Sequence, residues 1–185
     1  MAAKRQDDEL ADELLEMLEE DFAGITVKAG YSKRWDRRCV TFRWAGFEGL
    51  LPEERFQRLA TYIPEDFRKE TLSGFVWLEL TPDETIDTFL KLPRSEDVAD
   101  KEGKITGDLY EASFFEALAE SLGPKPQEGC PGDFSLSHSV LEGKGFSPRR
   151  IHEAKLVFIR HGAYCDCQVL QSVRSALREL HTEVT

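Results

Sequence analysis

The sequence predicts an α+β protein built as two small domains. Three patterns carry that expectation. Apolar residues recur every four positions near the N-terminus, two stretches of apolar/polar alternation follow, and the second half shows only helical periodicity. The first half reads α-β-β-α-β-α and the second all-α. With 185 residues and 41% hydrophobic side chains, the chain can bury a real core.

The first element is an amphipathic helix over Asp7–Phe22, with Leu10, Leu14, Leu18 and Phe22 on one face and acids elsewhere. Its early carboxylates suit the positive end of a helix. Ile25, Val27, Ala29 and Tyr31 then alternate with Thr26, Lys28, Gly30 and Ser32, the pattern of a half-buried strand. After a polar turn, Val40, Phe42 and Trp44 alternate with Cys39, Thr41 and Arg43, which makes the pair a hairpin. Gly46 and Gly49 mark a turn, and Pro52 starts a helix whose apolar face is Phe56, Leu59, Ala60 and Ile63. The nearly continuous apolar run Phe75–Leu80 predicts a central strand buried on both faces. Thr81, as N-cap, and Pro82 predict the start of another helix with Ile86, Phe89 and Leu90 inward.

Residues 93–107 are polar, carry two glycines and show no period, so they read as a linker. A helix presenting Phe114, Leu118 and Leu122 follows. Residues 123–133 form a Gly/Pro-rich loop containing Cys130, and His138–Leu141 a short helix. Ser147-Pro148 opens a helix that stops at Gly162. The last helix begins near Asp166, its N-cap, and turns Val169, Val173, Ala176, Leu177 and Leu180 inward.

The net charge of -11 disfavours a general binder of phosphate backbones. No apolar run approaches the roughly 20 residues that span a bilayer, and the first residues lack an apolar signal core. The expectation is a cytoplasmic protein without a membrane partner, in which four Cys stay reduced.

Two resemblances organise the chain further. The stretch Val40-Thr41-Phe42-Arg43-Trp44-Ala45-Gly46-Phe47-Glu48-Gly49, running on through Pro52 to Arg55-Phe56, resembles the BolA family. There a hydrophobic strand enters a Phe-x-Gly turn and then a helix with an Arg-His pair. Trp77-Leu78-Glu79-Leu80-Thr81-Pro82-Asp83-Glu84 is similar to that family's last strand and following helix start. The resemblance covers residues 10–92 and implies a class II KH-like sandwich of helices on one three-stranded sheet. Family members that share an iron–sulfur cluster use the His of the pair. Phe56 stands there, Cys39 lies within the strand, and residues 1–137 contain no His, so no iron–sulfur cluster is expected.

A KH-like fold also raises nucleic acid. Lys33, Arg34, Arg37, Arg38 and Arg43, with Trp35 among them, make the hairpin basic and aromatic. Gly46-Phe47-Glu48-Gly49 has the Gly-x-x-Gly spacing, with an acid inside it. The competing reading pairs these cations with the acidic first helix or with a partner protein.

In the second half, His161-Gly162-Ala163-Tyr164-Cys165-Asp166-Cys167-Gln168-Val169-Leu170 resembles the end of a small bacterial domain of unknown function that closes on Cys-Asp-Cys. That domain carries an upstream Cys and His, to which Cys130 and His138 correspond. Cys130, His138, Cys165 and Cys167 are three sulfur ligands and one nitrogen ligand, a set suited to tetrahedral zinc holding the Cys130 loop to the last helix. Alternatives are buried free thiols, a redox pair activated by the helix end, or a catalytic zinc beside Asp166.

The sequence therefore predicts a domain over 1–92, a linker over 93–107 and a helical domain over 108–185. The expected function is that of a non-enzymatic bacterial adaptor with a structural zinc and an unidentified protein partner. The alternatives are a regulatory nucleic-acid binder using the hairpin, and a thiol-redox or metal-dependent enzyme at Cys165 and Cys167.

Overall fold

The computed structural model describes residues 2–184, with side chains over 6–180. The protein is mixed α/β and divides into two compact units, 1–93 and 94–185. No described helix is long and apolar enough to cross a membrane.

The first unit runs α1 (Ala2–Leu18), β1 (Thr26–Ser32), β2 (Arg37–Arg43), a 3-10 turn (Ala45–Phe47), α2 (Pro52–Ala60), α3 (Glu65–Glu70), β3 (Val76–Leu80) and α4 (Ile86–Phe89). The sheet order is β1-β2-β3, antiparallel between the first two and parallel between β2 and β3. Register places Ala29 opposite Val40, and Thr41 opposite Leu78. Because strand side chains alternate, the faces separate. Val40 and Phe42 join Leu10, Leu14, Leu18, Phe22, Phe47, Leu59 and Ile63 in the main core. Leu78 and Leu80 point the other way into a smaller cluster with Phe89.

β3 is buried on both faces as expected, yet it is an edge strand and β2 is central. An apolar run reports burial, and here α4 and α2 supply it without a further strand. Phe56 is also displaced from the expected core face. It is 40% exposed and lies edge-on to Trp77, with ring centroids 5.1 Å apart.

The helix after β3 starts later than predicted. Its N-cap is Thr85, whose hydroxyl accepts from Thr88 N at 3.1 Å, while residues 81–84 form a turn. Two arginines account for this. Arg43 Nη1 donates to the carbonyls of Thr81, Pro82 and Glu84, each at 2.9 Å. Carbonyls that converge on one guanidinium cannot also run parallel along a helix axis. Arg55 Nη1 holds the Glu84 carboxylate at 2.5 Å, with side chains 4% and 8% exposed, and that carboxylate also accepts the Thr81 N–H.

The second unit contains a 3-10 segment (Ser95–Lys101), α5 (Glu102–Glu111), α6 (Phe114–Leu122), α7 (Ser135–Gly143), α8 (Pro148–Arg160), α9 (Asp166–Gln168), a π turn (Val169–Val173) and α10 (Arg174–Val184). Residues 95–107, read as a linker, are helical. Val98 and Ile105 are buried there, and the charged neighbours reach α8 and its end through Lys101–Glu153 and Arg160–Glu102. The sparse apolar positions hid the period, because ion pairs with α8 occupy the positions between them. α8 ends in a Schellman closure. Gly162, at φ +78°, donates to Ile159 O at 2.8 Å, and Ala163 N reaches Phe158 O at 3.0 Å. That closure turns the chain toward Cys165.

Candidate metal centre

Three thiols meet in the second unit. The Sγ atoms of Cys130, Cys165 and Cys167 all lie within 4.8 Å of one another, and all three residues are half-buried. Cys165 and Cys167 Sγ are 3.4 Å apart.

Local chain geometry sets each thiol. Cys130 sits on the loop between α6 and α7. The loop presses so closely on the end of α6 that a Cβ on Gly129 would stand 2.6 Å from Leu122 O. Only glycine fits without moving backbone. Gly132 takes φ +85°, a conformation that glycine adopts without penalty, and its N–H turns back toward the Cys130 sulfur. Cys165 is the N-cap residue of α9, with extended φ and ψ, and Cys167 lies in the first turn. The free N–H of Cys167 donates to Cys130 Sγ at 3.4 Å. A helix N-terminus thus faces the loop thiol, an arrangement that favours thiolate. Tyr164 N donates to Gln168 Oε1 at 2.7 Å and fixes the entry to the turn.

The thiols are electrostatically unequal. Burial opposes the Cys130 thiolate, but the Cys167 and Gly132 N–H groups and the two neighbouring thiols outweigh it and lower its pKa. Burial pushes the Cys165 thiol up, and the charge of Cys130 adds to that. Cys167 is pushed up to about 12, chiefly by burial and then by its two sulfur neighbours. Cys165 and Cys167 thus keep their protons more firmly than a free thiol, while Cys130 gives its own up more readily.

His138 is not brought to this group. It lies exposed on α7, while among the described residues the only cluster of potential ligands is the three cysteines. Its nitrogen donor suited a fourth ligand, but it stands on the exposed face of α7. His161 is bound elsewhere, to Glu102.

Asp166 has a role the sequence did not disclose. It is fully buried and does not cap its own helix; Cys165 holds that position. Instead its carboxylate accepts from Leu136 N at 2.9 Å and Ser137 N at 2.8 Å, capping α7 across the unit. Its own N–H donates to Asp133 O at 2.9 Å, and Asp133 Oδ1 accepts from Ser135 N at 2.8 Å. Burial raises the Asp166 pKa despite these donors. The residue between the two cysteines therefore latches the last helix to α7, keeping Cys165 and Cys167 in register with the Cys130 loop.

In the first unit the basic hairpin is largely engaged internally. Arg34 pairs with Asp87 at 2.6 Å, Arg38 pairs with Asp7 and lies 4.5 Å from the Phe75 ring, and Arg43 is held by its three carbonyls. Trp35 packs against the Leu78–Leu80–Phe89 cluster. Lys33 and Arg37 are exposed. Cys39 is buried in β2. Gly46 has no room for a side chain. The Trp44 indole, pinned by its bond to Ala23 O and edge contacts to Phe22 and Phe47, lies across it. Packing accounts for that glycine of the Gly-x-x-Gly spacing.

No family model, curated protein or solved structure matches the chain.

Proposed function

We propose that the chain is a non-enzymatic interaction protein whose second unit is stapled by a soft divalent metal, zinc, on Cys130, Cys165 and Cys167. The observation that carries this reading is the convergence of three thiol sulfurs, from a loop and a helix start far apart in sequence, within 4.8 Å. Thiolates select zinc over hard cations, and a metal there would clamp the 123–134 loop to the last helix. Three reduced thiols so close together suit a reducing compartment such as the cytoplasm.

The first unit is proposed as a BolA/KH-like docking domain for a protein partner. Its element order and its β1-β2-β3 sheet with one antiparallel and one parallel pair support that reading. The internal engagement of Arg34, Arg38 and Arg43 favours a protein over a nucleic acid.

Elemental analysis of the purified chain beside Cys165→Ser and Cys167→Ser tests the metal. One equivalent of zinc, lost from both variants together with a lowered melting temperature, supports the staple. Metal-free wild-type protein that melts like the variants contradicts it.

A further inference from the structure

Structural zinc sites close with four protein ligands, whereas sites with three protein ligands keep a position for an outside molecule. Here the protein supplies three. Among the described residues no His, Asp or Glu ligand atom joins the sulfurs. His138 faces solvent, His161 is held by Glu102, and the Asp166 carboxylate is spent on two N–H groups of α7. His181 lies in α10, with its backbone about 20 Å along the helical run from Cys167 at roughly 1.5 Å per residue. The fourth position is also reachable. The three cysteines are only half-buried, and Glu128, Gly129, Pro131 and Gly132 around Cys130 are exposed.

Resting on the metal reading above, we infer that the bound ion carries an exchangeable fourth ligand from outside the chain, and that the site selects a neutral nitrogen donor over an anion. Three thiolates and one divalent cation sum to a single negative charge. The buried Asp166 carboxylate lies between two of the ligands in sequence, and Asp133 lies near it. A fourth ligand that is itself anionic would add a second negative charge beside these carboxylates, whereas a neutral donor adds none. Water fills the position at rest, and an imidazole, the side chain of a partner's histidine, replaces it. The exchange moves one water off and one nitrogen lone pair on, with no proton or electron transferred. The site thus offers a partner a coordination bond as well as a surface.

The test uses the full chain loaded with cobalt(II), whose visible bands report ligand type and number. Imidazole and sodium azide are titrated separately at one pH and ionic strength. The expected result is a saturable shift of the bands with imidazole, retention of the sulfur-to-cobalt charge-transfer band, and no comparable shift with azide. Bands unmoved by imidazole mean that the site is closed and overturn the inference while leaving the metal reading intact. An equal response to azide overturns the charge selection. Loss of all bands on adding imidazole shows the metal stripped, and it too overturns the inference. If cobalt never produces thiolate bands, the underlying metal reading falls, an outcome distinct from the others.

Discussion

The carboxylate of Asp166 accepts the backbone N–H of Ser137 at 2.8 Å, joining the first residue of α9 to the first turn of α7 across 29 positions of sequence. With the Leu136 N–H on its other oxygen, this side chain satisfies two donors that a helix start leaves orphaned. Asp166→Ala is expected to cost about 2 kcal/mol, because the cap is lost and two buried donors go unpaired. Asp166→Asn, which keeps one carbonyl oxygen, should lose roughly half as much. Urea denaturation of the two variants checks the order; equal stability of Asp166→Ala and wild type would remove the latch.

In the first unit, Arg55 and Glu84 form a buried pair that joins α2 to the turn after β3. Removing one charge leaves the other uncompensated, so Glu84→Gln should destabilise by about 3 kcal/mol. Arg55→Met with Glu84→Leu should cost clearly less than the sum of the single changes. A double-mutant cycle by chemical denaturation measures the coupling, and additive effects would show that the two residues act separately.

Glycines around the site divide by what surrounds them. Gly129→Ala meets the Leu122 carbonyl, and Gly132→Ala must hold φ +85°; each is expected to lower stability by about 1–2 kcal/mol and to weaken metal binding. Gly103 sits exposed in α5 with nothing within 4 Å of an added Cβ, so Gly103→Ala should stabilise by about 0.5–1 kcal/mol. Melting temperatures of the three variants, moving in opposite directions, check this.

The raised pKa values of Cys165 and Cys167 give metal uptake a definite pH dependence. Both thiols carry protons at pH 7, and zinc must displace them, so binding releases two protons plus whatever fraction Cys130 still holds. Affinity therefore falls as pH falls, by about a hundredfold per unit for two protons between pH 6 and 8. Competition against a chelator across that range reads the slope; a slope near zero contradicts it. For the metal-free chain the sign is reversed. A thiol whose folded pKa lies above its unfolded value stabilises the fold below pH about 9, and that contribution is lost as pH rises toward 12.

Much of this was legible in the sequence where one physical signal acted alone. The ladder Leu10–Leu14–Leu18–Phe22 and the alternation of Val40 and Phe42 located α1 and β2, because burial of one face has a fixed period in each. The grouping of Cys130, Cys165 and Cys167 was legible from their chemistry and clustering, and the three sulfurs do come together. What escaped depended on partners distant in sequence. The false helix start at Thr81-Pro82 reflects capping residues whose carbonyls Arg43 draws aside. The helix within 95–107 is sustained by contacts to α8 that no local window contains. His138 had the right element but the wrong face of α7, and Asp166 the right cap geometry for a different helix. Even Phe56, placed correctly on α2, lies at the surface against Trp77 of the edge strand.

The most direct test of the central claim is X-ray absorption at the zinc edge on the zinc-loaded chain. Three sulfur neighbours at about 2.3 Å with one nitrogen or oxygen at about 2.0 Å is the predicted shell. Four light atoms, fewer than three sulfurs, or failure of the chain to retain zinc would contradict a centre built on Cys130, Cys165 and Cys167.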